Sequence, residues 1–251
     1  MRYGLAYAVI LLVGVVVSAI TTPLMGKLGK QLGIVAKPGG RRRHSGLISR
    51  LGGVGLSLGF FVALALSRAF AIPTSDPNEV RRFWGLVIGG LVMTIIGLID
   101  DRYELPPGTE YLGYLFAAAI ATASLIILER FNNPLTNQLI VLPAVLYIPL
   151  TLFWVTGMIV TVNWLDGLDG LATGVSAILS LVLAVHMYRS GQYSVVPSAV
   201  ALLGASLGFL IFNGPPARVF LGGSAFFLGY VLAALGLIAG GRVATVLLVM
   251  G

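Results

Sequence analysis

The sequence predicts an all-α fold: a polytopic helical membrane protein of about eight transmembrane helices plus the start of a ninth. Three observations carry that prediction. Hydrophobic residues fill 57% of the 251 positions and charged residues only 10%, against roughly 25% charged in soluble domains. Long charge-free stretches recur along the whole chain, and no acid or base falls in the middle of one. Between them the linkers are too short to fold alone, so residues 1–251 read as a single integral membrane domain.

Taken in order, the expected spans are 3–26, 51–67, 83–99, 111–128, part of 131–165, 170–188, part of 190–217, and 219–241. A helix needs roughly 20 apolar residues to cross about 30 Å of hydrocarbon, so the shortest stretches are at the lower limit. The first run is too long for an ordinary signal peptide, and seven more follow it. Pro73 to Pro77 with Asn78 marks one turn, Asn132-Asn133-Pro134 another, and Pro106-Pro107-Gly108 stops the third helix. Pro215-Pro216 end span seven. After Arg242 a ninth apolar run begins and the chain stops nine residues later, so the sequence reads as C-terminally truncated. The small residues of G-L-S-L-G (55–59) read as helix-packing devices.

Orientation follows from the basic residues. Lys27, Lys30, Lys37, Arg41, Arg42, Arg43 and Arg50 lie between spans one and two with no acid among them, which places that loop in the cytoplasm and the N-terminus outside. The net charge of +7 therefore marks a membrane-surface loop, and nucleic acid is not an expected partner. There is no cysteine, which excludes disulfides, thiolate chemistry and zinc-thiolate sites. Parity then puts six of the nine acids on the cytoplasmic face: Asp100, Asp101, Glu104, Glu110, Asp166 and Asp169.

Asp100-Asp101 end an apolar run where a helix C-terminus disfavours negative charge, so a cation is expected beside them. A divalent metal, or a substrate that arrives with one, is the first expectation. The second cluster, N-W-L-D-G-L-D-G-L-A-T-G (163–174), places Asp166 and Asp169 three residues apart, on one face if the following helix begins within it. Simple helix capping is the plainer reading. Gly167 and Gly170 favour close approach of a ligand to the backbone, and Asn163 adds a donor and an acceptor. The loop K-P-G-G-R-R-R-H (37–44) offers Arg43 and His44 to phosphate oxygens, although its charges also serve topology alone. His186 reads as structural. In P-P-A-R-V-F-L-G-G-S (215–224), Arg218 and the amides opening span eight form an anion-site candidate. Carboxylates, arginines and glycine-rich backbone on one face suit phosphoryl transfer, and the membrane-embedded body points to a lipid phosphate as one substrate. A transporter would place charge near the midplane, and none falls there.

R-R-H with R-L-G-G (42–53), G-L-I-D-D-R-Y (97–103), N-W-L-D-G-L-D-G-L-A-T-G and P-P-A-R-V-F-L-G (215–222) resemble the polyprenyl-phosphate N-acetylhexosamine-1-phosphate transferases, nearly end to end. The undecaprenyl-phosphate GlcNAc-1-phosphate branch is the more similar one. The resemblance implies Mg2+-dependent (or Mn2+-dependent) attack of a polyprenyl phosphate on a UDP-amino sugar with release of UMP. It also implies a bacterial plasma membrane location, with a homodimer left open. By resemblance, Asp100, Asp101, Asp166 and Asp169 are catalytic candidates, Asp100 as base or orienter. Arg43, His44, Asn163, Asp166, Asp169 and Arg218 are substrate-binding candidates, and Asp100, Asp101 and Asn163 metal-binding ones. The sequence departs from the family at Gly223, where a metal-binding acid is usual, and at Ala36, Gly108, Glu110 and Val160. The histidine-bearing loop expected next is missing. The alternative expectation is accordingly a relative that binds lipid phosphate without turnover.

Overall fold

The computed structural model describes residues 3–36, 47–74, 76–132 and 139–240. Eight helices occupy the eight apolar stretches in the expected order: α1 (Gly4–Gln31), α2 (Gly52–Ser67), α3 (Glu79–Tyr103), α4 (Pro107–Ala123), α5 (Ala144–Leu165), α6 (Leu171–Arg189), α7 (Val196–Asn213) and α8 (Ser224–Ile238). Five of them, α1, α3, α5, α6 and α7, are long and apolar enough to cross a membrane. The other three have 16, 17 and 15 residues (α2, α4 and α8). At 1.5 Å per residue they reach roughly 22–26 Å, short of a full hydrocarbon core. Residues 241–251, where the sequence predicts the start of a ninth helix, lie outside the described residues.

Two small antiparallel pairs correct the all-α expectation. β1 (Val35–Ala36) pairs with β2 (Ile48–Ser49), and β3 (Arg130–Asn132) with β4 (Leu139–Val141). The second pair takes the beginning of the expected fifth span. Leu142 precedes Pro143, which keeps it extended, and the helix starts only at Ala144. Strands of two or three residues are too short to show a period of two. Pro106 and Pro107 also do more than stop α3, because Pro107 is the first residue of α4.

Small side chains set the helix packing. The buried positions of α1 repeat every fourth residue: Ala6, Ile10, Gly14, Ser18, Thr22 and Gly26. Against this stripe α2 places Gly55 on Thr22 and Gly59 on Ser18, as G-L-S-L-G implied, and a Cβ at either would overlap α1. α7 approaches from the other side, with Gly204 and Gly208 against the carbonyls of Leu11 and Val15. Thr21 Oγ1 lies 2.7 Å from the Val17 carbonyl of its own helix and 3.0 Å from the Gly55 carbonyl of α2, both acceptors for its one proton.

α8 is the centre of the bundle. All fifteen of its residues are buried, as expected for a helix that is apolar all round. Tyr230 donates its hydroxyl to the Gly85 carbonyl of α3 (2.8 Å), and Trp154 of α5 donates Nε1–H to Ala233 O (3.2 Å). Outward-facing residues of the surrounding helices are apolar: Leu12, Val16 and Ile20 on α1, Ile88 and Ile95 on α3, Ile178 and Leu181 on α6. Rings of Tyr3, Tyr7, Tyr188 and Tyr193 cluster where α1 begins and α6 ends, the amphipathic girdle expected at a membrane surface. The chain is a multi-pass membrane protein, and the acidic clusters gather at the end opposite those tyrosines.

Candidate active site

Asp100 and Asp101 sit inside the last turn of α3, which continues to Tyr103. Both are buried, at 9% and 6% exposure, so their charge must be met locally. Glu104 follows in the left-handed conformation (φ 50) and returns its N–H to the Asp100 carbonyl at 2.8 Å. Asp100 Oδ1 then accepts the Leu105 N–H at 3.0 Å, which fastens the turn into α4.

The cation beside the pair is a side chain of the protein. Arg50, just after β2, brings Nε to 3.0 Å from Asp101 Oδ1, one terminal nitrogen to 3.9 Å from Asp100 Oδ2 and the other to 3.6 Å from Glu104 Oε1. The other oxygen of Asp101 accepts the Gly223 N–H at 3.0 Å, at the N-terminus of α8. One carboxylate thus faces two helix dipoles of opposite sign. The negative end of α3 opposes it and the positive end of α8 favours it, so the dipole cost expected from sequence is largely offset. At the head of span eight, expected as an anion site, the Gly223 amide holds Asp101. Gly222 is needed here twice over. Its φ is +61, and a Cβ would overlap the Arg50 carbonyl and lie 2.6 Å from Asp101 Oδ2.

The second acidic cluster is not a helix cap. α5 ends at Leu165, Asp166 is its C-terminal boundary residue, and α6 opens at Leu171 behind Gly170 in the left-handed conformation, with no side-chain cap. Asp166 and Asp169 therefore do not share a helix face. Asp169 is exposed and reaches across to accept the Ala217 N–H at 3.0 Å through Oδ2. Asn163 lies half-buried in the last turn of α5. Arg218 is exposed and its backbone N–H closes onto Phe212 O at 2.8 Å.

What joins the two clusters is the link between α7 and α8, residues 214–223. Asp169 holds it at Ala217 and Asp101 at Gly223. Buried Asn213 accepts from Thr173 Oγ1 (3.3 Å) and donates to Val219 O (3.1 Å). Phe220 N–H donates to Ser49 O at 2.9 Å, which extends β2 onto the link. β1 and β2 root the basic loop at this same end, Ala36 opposite Ile48. Arg43 and His44 themselves lie outside the described residues. Sequence reasoning passes over Arg50 and Ser49 as site residues. The signal for Arg50 is nonetheless there: a pair of buried acids needs a cation, and R-L-G-G begins with one.

With Arg50 seated against it, the aspartate pair does not fit a divalent ion as well. Mg2+ needs one or two free carboxylate oxygens, with waters and substrate phosphates filling the rest of a near-octahedral shell. Asp101 gives one oxygen to Gly223 N–H and turns the other, which accepts no hydrogen bond, to the Arg50 guanidinium, and Asp100 gives one to Leu105. Among the described residues no three His, Cys, Asp or Glu side chains gather as metal ligands. Gly223 supplies no side chain and has no room for one, since a Cβ there would overlap the Gly97 carbonyl of α3.

Comparison with known proteins agrees with the motifs. The profile of glycosyl transferase family 4 matches residues 83–240. The Bacillus subtilis (strain 168) protein named "Probable undecaprenyl-phosphate N-acetylglucosaminyl 1-phosphate transferase" is 28% identical over 220 residues, 87% of this chain and 59% of its own length. The decaprenyl-phosphate N-acetylglucosaminephosphotransferase of Mycolicibacterium smegmatis is 34% identical over 252 residues, 92% of this chain and 60% of its own. The phospho-N-acetylmuramoyl-pentapeptide-transferase of Staphylococcus carnosus is 31% identical over 191 residues, 70% and 59% respectively. The chain spans about three-fifths of the length of these relatives. With well over half of its residues under the family profile, the chain belongs to glycosyl transferase family 4.

Proposed function

We propose that the protein transfers GlcNAc-1-phosphate from UDP-GlcNAc to a polyprenyl phosphate, undecaprenyl phosphate in a bacterial membrane, as the first membrane step of a cell-wall or surface polysaccharide. A phosphate oxygen of the lipid attacks the β-phosphorus of the donor, the bond to the bridging oxygen breaks, and UMP leaves. The observation that supports this most is the convergence of both family acidic motifs on one link, 214–223, at the end where the basic loop is rooted. Asp166, Asp169, Asn163 and Arg218 would face the nucleotide sugar, Arg43 and His44 its phosphates, and Asp100 would orient the lipid phosphate. Mg2+ or Mn2+ enters this reading as the counter-ion that a diphosphate brings with it. Purified protein given UDP-GlcNAc, polyprenyl phosphate and Mg2+ is expected to release UMP, and omission of the lipid is expected to stop release. Absence of UMP with retained binding of the lipid phosphate favours a second reading, a family member that binds without turnover. The Arg50 pairing and the side-chain-free Gly223 speak for that alternative.

All eight helices belong to the membrane body in this proposal, with the acidic end in the cytoplasm and the N-terminus outside. The chain has no cysteine, so single cysteines report cleanly. Gly108 and Ser190 are exposed at opposite ends. In intact cells a membrane-impermeant maleimide is expected to label Ser190→Cys at once and Gly108→Cys only after permeabilisation. The reverse pattern would sink the orientation.

A further inference from the structure

We infer that Arg50 and Asp101 are positioning residues that lock the N-terminus of α8 against α3 and β2, and that the aspartate pair of this chain holds a guanidinium where its family would lead one to expect a divalent cation. The inference stands apart from the identity of donor and acceptor. It rests on three features of the same carboxylate, whose Oδ1 accepts no hydrogen bond and is met by charge alone. Asp101 Oδ2 takes the Gly223 N–H, Oδ1 faces Arg50 Nε at 3.0 Å, and the side chain is only 1% exposed. Water cannot replace either partner without opening the α3–α8 contact. That contact is closed by backbone: Gly97 and Gly223 lie so near that a Cβ on either would overlap the other. Arg50 is in turn fixed by its own main chain, with N–H donating to Ile34 O at 3.2 Å and the Gly222 Cα pressed against its carbonyl.

For an ion to enter, Arg50 would have to withdraw from Asp101 while Asp101 stayed on Gly223. One carboxylate oxygen would then be the whole contribution of Asp101. The lock instead makes the pair structural. It sets where the 214–223 link begins its approach to Asp169, and so the spacing of the two acidic clusters. Asp101 acts on the reaction through that link.

Two measurements on the purified full chain in detergent micelles test this. In the first, Mn2+ is titrated without nucleotide and free Mn2+ is followed by its EPR signal. The parent and Asp101→Asn are expected to give superimposable curves. One equivalent of Mn2+ bound by the parent with micromolar affinity and lost in Asp101→Asn overturns the inference. In the second, melting temperatures are compared. Asp101→Asn keeps an acceptor for the Gly223 N–H, whereas Asp101→Leu keeps none. The expected order is parent, then Asn, then Leu, with Leu lower than the parent by about 5–10 °C. A Leu variant that melts with the parent overturns the lock, whatever the first measurement gives.

Discussion

Gly223→Ala is expected to lower the melting temperature of the protein by about 6–12 °C, and Gly223→Asp by more. The added Cβ meets the Gly97 carbonyl, carbon and Cα, all backbone, so no rotamer change relieves it. Overpacking in a tight core typically costs about 1–3 kcal/mol, and the upper end applies where the neighbour cannot move. For a chain of this size each kcal/mol shifts the midpoint by roughly 2–4 °C. An aspartate adds a second cost, because its charge arrives beside buried Asp101 and has no cation left to share. This matters for function, because the family resemblance leads one to expect an acid at this position. A single substitution cannot restore it here, since α3 and α8 are joined through Gly97 and Gly223 as a matched pair. Thermal unfolding in detergent, read by size-exclusion of the heated samples, decides it. Variants that melt and elute as the parent does would show that the two helices are not in contact.

Arg50→Ala should be at least as damaging. Among the described residues, Arg50 provides the only side-chain cation within 4 Å of Asp100 or Asp101. Breaking a buried pair by removing one partner typically costs about 3–5 kcal/mol, because the remaining charge is stranded. Arg50→Lys is expected to recover only part of this. Three separate guanidinium nitrogens reach three acids, and a single ammonium cannot span them. Adding Asp101→Asn to Arg50→Ala should raise stability above Arg50→Ala alone, since the stranded charge is removed. Non-additivity of that kind is the signature of direct coupling. Equal melting of the parent and Arg50→Ala would remove the basis for calling Arg50 the counter-ion.

Much of the framework is legible because it is carried by local composition. Each charge-free stretch forms a helix in order, the six acids fall at one end, and the Gly55–Gly59 spacing lands on Thr22 and Ser18. What cannot be read depends on partners distant in sequence. Asp101 and Gly223 are 122 residues apart, and nothing local says that the Gly223 amide at the head of α8 is already satisfied by that carboxylate. Asp100-Asp101 demand a cation on sequence grounds, but chain position alone does not distinguish a metal from one arginine among the seven bases of the first loop. Asp166 and Asp169 read as helical because acids favour helix N-termini. The left-handed Gly170 instead starts α6 afterwards and leaves Asp169 free to reach Ala217.

The position of α8 has a consequence for biogenesis. It is the last described helix to be synthesised, yet all its residues are buried, chiefly against α2 to α6, which are made before it. Those five helices must therefore enter the bilayer around an unfilled axis. Their inner faces, with Met93, Trp154 and Tyr114 among them, stay without their final neighbours until the eighth segment is released. Nascent chains halted before residue 224 should be handed to membrane quality control more readily than chains that have released α8.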